Sequence, residues 1–212
     1  MRLAGQSKEA TMYRINKVDC TKKFFWEKAE KTYISNYMWM DNGYEPKVMV
    51  QMCYDDESLR VRFEVEESMP RSIYTIANEP VYKDSCVEFF VQPTPETDSR
   101  YLNFEMNSKG VLLLGLGEGR HERQQPKRPA GIGFDVKSKV QADRWSVSYV
   151  IPFTWISNIY PDFKAAPGHV MKANFYKCGD DTAKPHYGSW NLVTSENPDF
   201  HRPCDFGEIV FQ

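Results

Sequence analysis

The chain has 212 residues, 41% of them hydrophobic and 14% aromatic, with 27 Lys and Arg against 29 Asp and Glu for a formal charge of -2. That length and apolar content suit one large all-β domain, and interspersed charges of both signs exclude the basic face of a nucleic-acid binder and a polybasic membrane patch. No apolar run reaches the roughly 18 residues of a membrane span, and the start MRLAGQSKEA lacks the apolar core of a signal peptide.

Residues 1–10 are polar and expected to fray. Residues 12–18 alternate loosely enough for a first, edge-like strand, and 24–39 read as a short helical turn and then a strand ending at Asp41-Asn42-Gly43. The clearest hairpin follows: Val48, Val50, Met52 and Tyr54 alternate with polar or small neighbours, 55–58 turn, and Leu59, Val61, Phe63 and Val65 alternate with charged residues. A polar loop over 67–78 leads to VYKDSCVEFFVQ, residues 81–92. There Val87, Phe89 and Val91 fall on one face at period two, and Cys86, Glu88 and Phe90 on the other, so this strand belongs inside a sheet covered on both faces. Glu88 is its one carboxylate. Because an unpaired buried charge is costly, Glu88 either meets cations and donors or points into a cavity that something polar enters.

Pro93 and Pro95 stop that ladder. A hairpin over 101–116 turns at Gly110, a loop of glycine, proline and charge covers 117–131, and a third hairpin covers 132–151. Pro152 opens a single helical turn, and strands over 169–178, 187–192 and 207–211 complete the chain. Short strands between turns, with no long helix and no glycine-rich crossover, predict one domain over 1–212: an all-β sandwich of two antiparallel sheets with one or two short helical turns.

Cys20, Cys53, Cys86, Cys178 and Cys204 are odd in number with no close pair, which argues against a disulfide framework. Reduced, mostly buried thiols favour the cytoplasm and leave a processed periplasmic form open. Cys178, His186, His201 and Cys204 have the right atoms for zinc but no ligand spacing. Acidic turns at 41–43, 55–57 and 180–181 make calcium the one candidate cofactor, although most such turns bind only water. Gly115 to Gly119 lacks the lysine of a phosphate loop and reads as flexible. Glu88 and Glu105, on neighbouring strands, are the atoms of a glycosidase pair, or simply partners of Arg60, Arg62 or Lys177 across the sheet. Tyr82 and Phe200 stand on loops at one rim with Glu88, Asn103, Asn197 and residues 174–177 between them. Flat rings with amides, a carboxylate and a cation suit the C–H faces and hydroxyls of a sugar; the same rings could be anchors packed on the core.

With these residues collected, the chain resembles the family 9 carbohydrate-binding modules and, more closely, their single-domain relatives in polysaccharide-degrading bacteria, from about Trp39 onward. The marks, in order, are YDDESLRVRFEVEE, YKDSCVEFFV, YLNFEMNSKG, IPF, KANFYKCGD and SW followed by FHRPCDFGEIVF. The resemblance implies a β-sandwich that binds chain ends or short lengths of sugar between two aromatic rings without catalysis of its own. Its implied setting is polysaccharide utilisation, in association with glycoside hydrolases. Tyr82 and Phe200 take the places that tryptophans hold in well-known members, so less ring is offered for stacking. Polar contacts are implied from Glu88, Asn103, Tyr176, Lys177 and Asn197, and calcium occurs in some members. The implied partner is an oligosaccharide or polysaccharide chain end, with no nucleic acid and no membrane span. Two readings of other classes stand beside it: a glycoside hydrolase acting through Glu88 and Glu105, and a protein-interaction domain with no sugar site.

Overall fold

The computed structural model describes residues 11–127, 129 and 131–212; the expected frayed start, residues 1–10, lies outside the described residues. Its strands are β1 (Met12–Lys17), β2 (Lys31–Ile34), β3 (Asn36–Tyr37), β4 (Val48–Tyr54), β5 (Ser58–Val65), β6 (Cys86–Gln92), β7 (Tyr101–Asn107) and β8 (Leu112–Gly117). β9 (Lys137–Val140), β10 (Trp145–Pro152), helix α1 (Phe153–Ile159), β11 (Val170–Cys178), β12 (Tyr187–Ser189) and β13 (Gly207–Phe211) follow.

The strands form two layers. One runs β8-β7-β6-β11-β13 and the other β4-β5-β10-β9, with β2 on β4. Alternation in each strand turns one set of side chains inward, and the two sets meet: Phe63 of β5 lies 5.9 Å from Phe175 of β11, and Tyr149 of β10 stacks 5.7 Å from Phe104 of β7. Each large side chain buried this way contributes about 1.5–3 kcal/mol. α1 starts directly after Pro152 and is longer than the expected single turn because Phe153, Trp155 and Ile156 dock into this core.

β1 is not an edge. Residues Met12 to Ile15 pair in parallel with β13, and Asn16 and Lys17 pair in parallel with β4, where β2 takes the rest of the same edge. Its inward residues Tyr13 and Ile15 are buried, so a loosely alternating strand joins the layers into one curled sheet. The third hairpin is shorter than expected: only Lys137–Val140 pairs with β10. Phe134, ahead of it, keeps one backbone contact with β10, its carbonyl accepting from the Val150 N–H at 2.7 Å, and packs its ring 5.0 Å from Trp155.

β6 lies between β7 and β11 with every residue buried, as its two apolar faces require. Its inward face belongs to the main core. Its outward face carries a second apolar cluster that includes Phe90, Tyr101, Tyr176 and Phe200. No helix among the described residues is long and apolar enough to cross a membrane.

Candidate functional site

Opposed residues of antiparallel strands share a face, so Glu88, Glu105 of β7 and Tyr176 of β11 all point outward from one patch. Phe90 with Asn103, and Cys86 with Cys178, extend it. The patch floors a cleft of about 700 Å³. Glu88 Oε1 accepts from the Cys178 thiol at 2.9 Å. Glu105 Oε1 accepts from Asn103 Nδ2 at 2.8 Å, while Glu105 Oε2 is buried with no hydrogen-bond partner. The cations that could have neutralised these acids are spent elsewhere: Arg60 on Asp55, Arg62 on Glu64 and Lys177 on Glu67. Burial, with Cys178 and Glu105 alongside, pushes the Glu88 carboxyl well above its ordinary range. Burial also pushes Glu105 up to about 7, against the pull of Asn103 and Arg123. Near neutral pH the floor thus offers carboxyl O–H donors beside oxygen acceptors, the mixture that hydroxyl groups match.

Arg123 reaches in from the loop after β8. Its Nε donates to Asn103 Oδ1 at 2.9 Å, its Nη1 donates to the Gly119 carbonyl at 2.8 Å, and the guanidinium lies 4.4 Å from the Tyr101 ring centroid. Asn103 is therefore oriented from both ends. Gly115 makes room for this pair, since a Cβ there would meet Asn103 Oδ1 at 2.4 Å. Gly115 and Gly117 lie in β8, so the first part of the glycine run expected to be flexible is strand, with the close approach of backbone to side chain at Gly115, whereas Gly119 lies beyond β8 in open space.

Two buried aspartates fix the loops that carry the rings. Asp84 accepts from the Ile73 and Tyr74 backbone N–H groups and from Asn107 Nδ2, and it pairs with Arg71, which holds the short 3-10 turn Val81–Lys83 that presents Tyr82. Asp205 accepts from the Thr194 N–H at 3.0 Å and from Arg202 Nε at 2.7 Å, closing the loop that presents Phe200. Tyr82 is 36% exposed, whereas Phe200 is 8% exposed and stacks face to face on Tyr176 at 4.0 Å. Trp39, 5.7 Å from Phe200 and 5.9 Å from Tyr187, completes that wall. Its backbone takes φ +66°, a conformation bulky residues rarely adopt, and its Nε1–H donates to the Ser195 carbonyl at 2.9 Å.

Of the residues singled out in the sequence, Tyr82, Glu88, Asn103 and Phe200 line the cleft together. Tyr176 lies behind Phe200, donating its hydroxyl to the Phe200 carbonyl at 3.1 Å. Lys177 faces the opposite side of β11 and is fully buried, and Asn197 is exposed and outside the lining. Trp39, Arg120, Arg123 and Tyr187 line the cleft without having been singled out, and Asp180, expected only as an acidic turn residue, lines it as well. Burial raises the Asp180 carboxyl, against the pull of the neighbouring Tyr187 hydroxyl. Among the acidic turns, Asp55 is occupied by the Glu57 and Ser58 N–H groups and Arg60, and Asp181 lies 3.7 Å from Lys83. None of the five cysteines is in a disulfide.

An all-β sandwich with an outward cleft, walled by aromatic rings and floored by carboxyl and amide groups, defines a carbohydrate-binding module. The chain belongs to carbohydrate-binding family 9, whose profile matches residues 21–211. Among solved structures, it is similar to a Bacteroides uniformis protein itself only provisionally described as carbohydrate-binding, with 29% identity, a TM-score of 0.81, and 96% of this chain and 100% of that one covered. It shares its fold with a family 9 module from Caldicellulosiruptor kristjanssonii in complex with cellotriose, at 18% identity, a TM-score of 0.64, and coverage of 95% of this chain and 94% of that one. The same holds for a family 9 module from that organism in complex with glucose, at 18% identity, a TM-score of 0.65, and coverage of 95% and 96%. Comparison with curated protein sequences yields no match.

Proposed function

We propose that this protein holds the end of an oligosaccharide or polysaccharide chain in the cleft and does not cleave it. The observation that carries the reading is Glu105 Oε2, buried and unpartnered at the floor of an aromatic-walled cleft. Leaving such an acceptor unpaired costs about 1–3 kcal/mol, and an entering hydroxyl group recovers it. Tyr82 on one wall and the Trp39–Phe200 pair on the other offer ring faces to the C–H surface of a sugar. Glu88, Asn103 and Glu105 meet its hydroxyls, and Tyr176 supports Phe200 from behind. Lys177 and Asn197 have no contact in this reading. Family membership and the cellotriose and glucose held by structural neighbours support it.

Cleavage by Glu88 and Glu105 would need one carboxyl protonated and the other ionised. Here burial raises both. The test is calorimetry against glucose, cellotriose and short oligosaccharides of other linkages, with and without calcium, followed by product analysis of the same samples. The expected result is saturable binding of about 5–6 kcal/mol, a dissociation constant near 0.1 mM, and no product. Silence across the panel would favour a protein partner at the rim instead, and released sugar would overturn the non-catalytic reading.

A further inference from the structure

We propose that Cys86, Glu88 and Cys178 form a binding site for zinc, or a divalent ion of similar softness, set into the floor of the cleft. β6 and β11 place Cys86 directly opposite Cys178, and Glu88, two residues along β6, falls on the same outward face. One ligand atom from each residue lies within 4.8 Å of the other two. Tetrahedral zinc, with bonds of about 2.3 Å to sulfur and about 2.0–2.2 Å to oxygen, holds such atoms about 3.5–3.8 Å apart. The distance from Cys178 Sγ to Glu88 Oε1, 2.9 Å, therefore has to open by only about 0.6 Å, which side-chain rotation on two central strands supplies.

The donor set chooses the ion. Two sulfurs among three donors exclude an oxygen-loving ion such as calcium and suit zinc. Glu88 and Cys178 line the cleft while Cys86 lies beneath it, so the fourth coordination position opens toward the cleft, where water or a hydroxyl group can sit. Cys20, Cys53 and Cys204 are outside this group. Coordination takes sulfur as thiolate, so uptake displaces protons from both thiols. The site stands whether or not a sugar binds, and its test reads sulfur–metal bonding rather than sugar affinity.

The experiment titrates the reduced full chain with cobalt(II) and then zinc(II). The expected signature is a thiolate-to-cobalt charge-transfer band with the visible absorption of four-coordinate cobalt, bleached by zinc and accompanied by proton release. Cys86→Ala and Cys178→Ala should each weaken zinc binding by at least about 100-fold, beyond what loss of an outer-sphere partner costs. Cys204→Ala, at an exposed thiol, should leave the spectrum and affinity unchanged. A folded native chain without the thiolate band, or a band that survives in the Cys86→Ala/Cys178→Ala double variant, overturns the proposal. If the alanine variants do not fold, Glu88→Gln and the native chain still decide it: the band must be present in the native chain and altered in position or affinity by Glu88→Gln.

Discussion

The two faces of β11 bury charge in opposite ways. On the inward face, Lys177 Nζ lies 2.6 Å from His186 Nε2, 3.0 Å from the Cys178 carbonyl and 3.3 Å from Glu67 Oε2. Glu67 in turn accepts from Trp145 Nε1 at 2.9 Å and Ser85 Oγ at 3.0 Å. His186 Nδ1 donates to the Lys184 carbonyl at 2.8 Å, leaving Nε2 as the acceptor that faces the ammonium. Burial would raise the Glu67 carboxyl, yet Lys177 and Trp145 outweigh it and hold it below its ordinary value. On the outward face no ion pair among the described residues reaches Glu88 or Glu105, burial raises both against the weaker pull of Arg123 on Glu105, and one oxygen is left without a partner. Charge that is paired on every side fastens the layers together; charge left open marks where a ligand belongs.

Removing a partner from the closed group should therefore give the largest effect. Lys177→Met leaves Glu67 buried and unpaired and should cost about 3–5 kcal/mol in urea denaturation, and a variant as stable as its parent would erase the distinction between the faces. Glu105→Gln should do the reverse, keeping or raising stability at neutral pH while weakening sugar binding by about 10-fold, the worth of one hydrogen bond. Tyr82→Ala should cost about 2–10-fold in affinity with melting unchanged, because the ring already stands partly in water; a collapse of cooperative melting would make Tyr82 a core anchor.

The smallest effect is in the pH profile, and it has opposite signs on the two faces. The folded value of Glu105, about 7, lies above its ordinary 4.5, so its contribution to stability is present below pH 4.5 and lost as pH rises through about 7. Burial and Lys177 hold His186 down to about 4 from 6.5, so its contribution is present above pH 6.5 and lost as pH falls through about 4. The two offset each other across this interval. In Glu105→Gln the opposing Glu105 trend is removed, so denaturation midpoints should fall more steeply from pH 6.5 towards 4 than in the parent, and parallel curves would refute the assignment.

Much of this was legible in the sequence. The central strand announced itself through two apolar faces and one carboxylate, and Glu88 followed from the cost of burying it. Tyr176 and Lys177 were both implied as contacts, because period two fixes that neighbours diverge but not which neighbour faces outward. That choice depends on the register Tyr176↔Glu88, which belongs to the pairing of distant strands. Arg123 and Arg120 were hidden for another reason: a loop of glycine and charge looks solvated until its topology lays it over Asn103 and Tyr101. Trp39 carried a weak signal, a large ring just before a turn, that only the late loop around Phe200 makes meaningful.

The joining strand β1 has a consequence for how the molecule is made. Its partners β13 and β4 come from opposite ends of the sequence, and the pair Ile15↔Phe211 spans almost the whole chain. Contacts of such long sequence separation form slowly, since a large loop must close before they stabilise anything. On the ribosome, the hairpins β4–β5 and β6–β7 can assemble early, but Tyr13 and Ile15 must wait for the final strand to emerge. Until then the edge of β11 that receives β13 stays open, and that interval is when the nascent chain is most exposed to pairing with a neighbour.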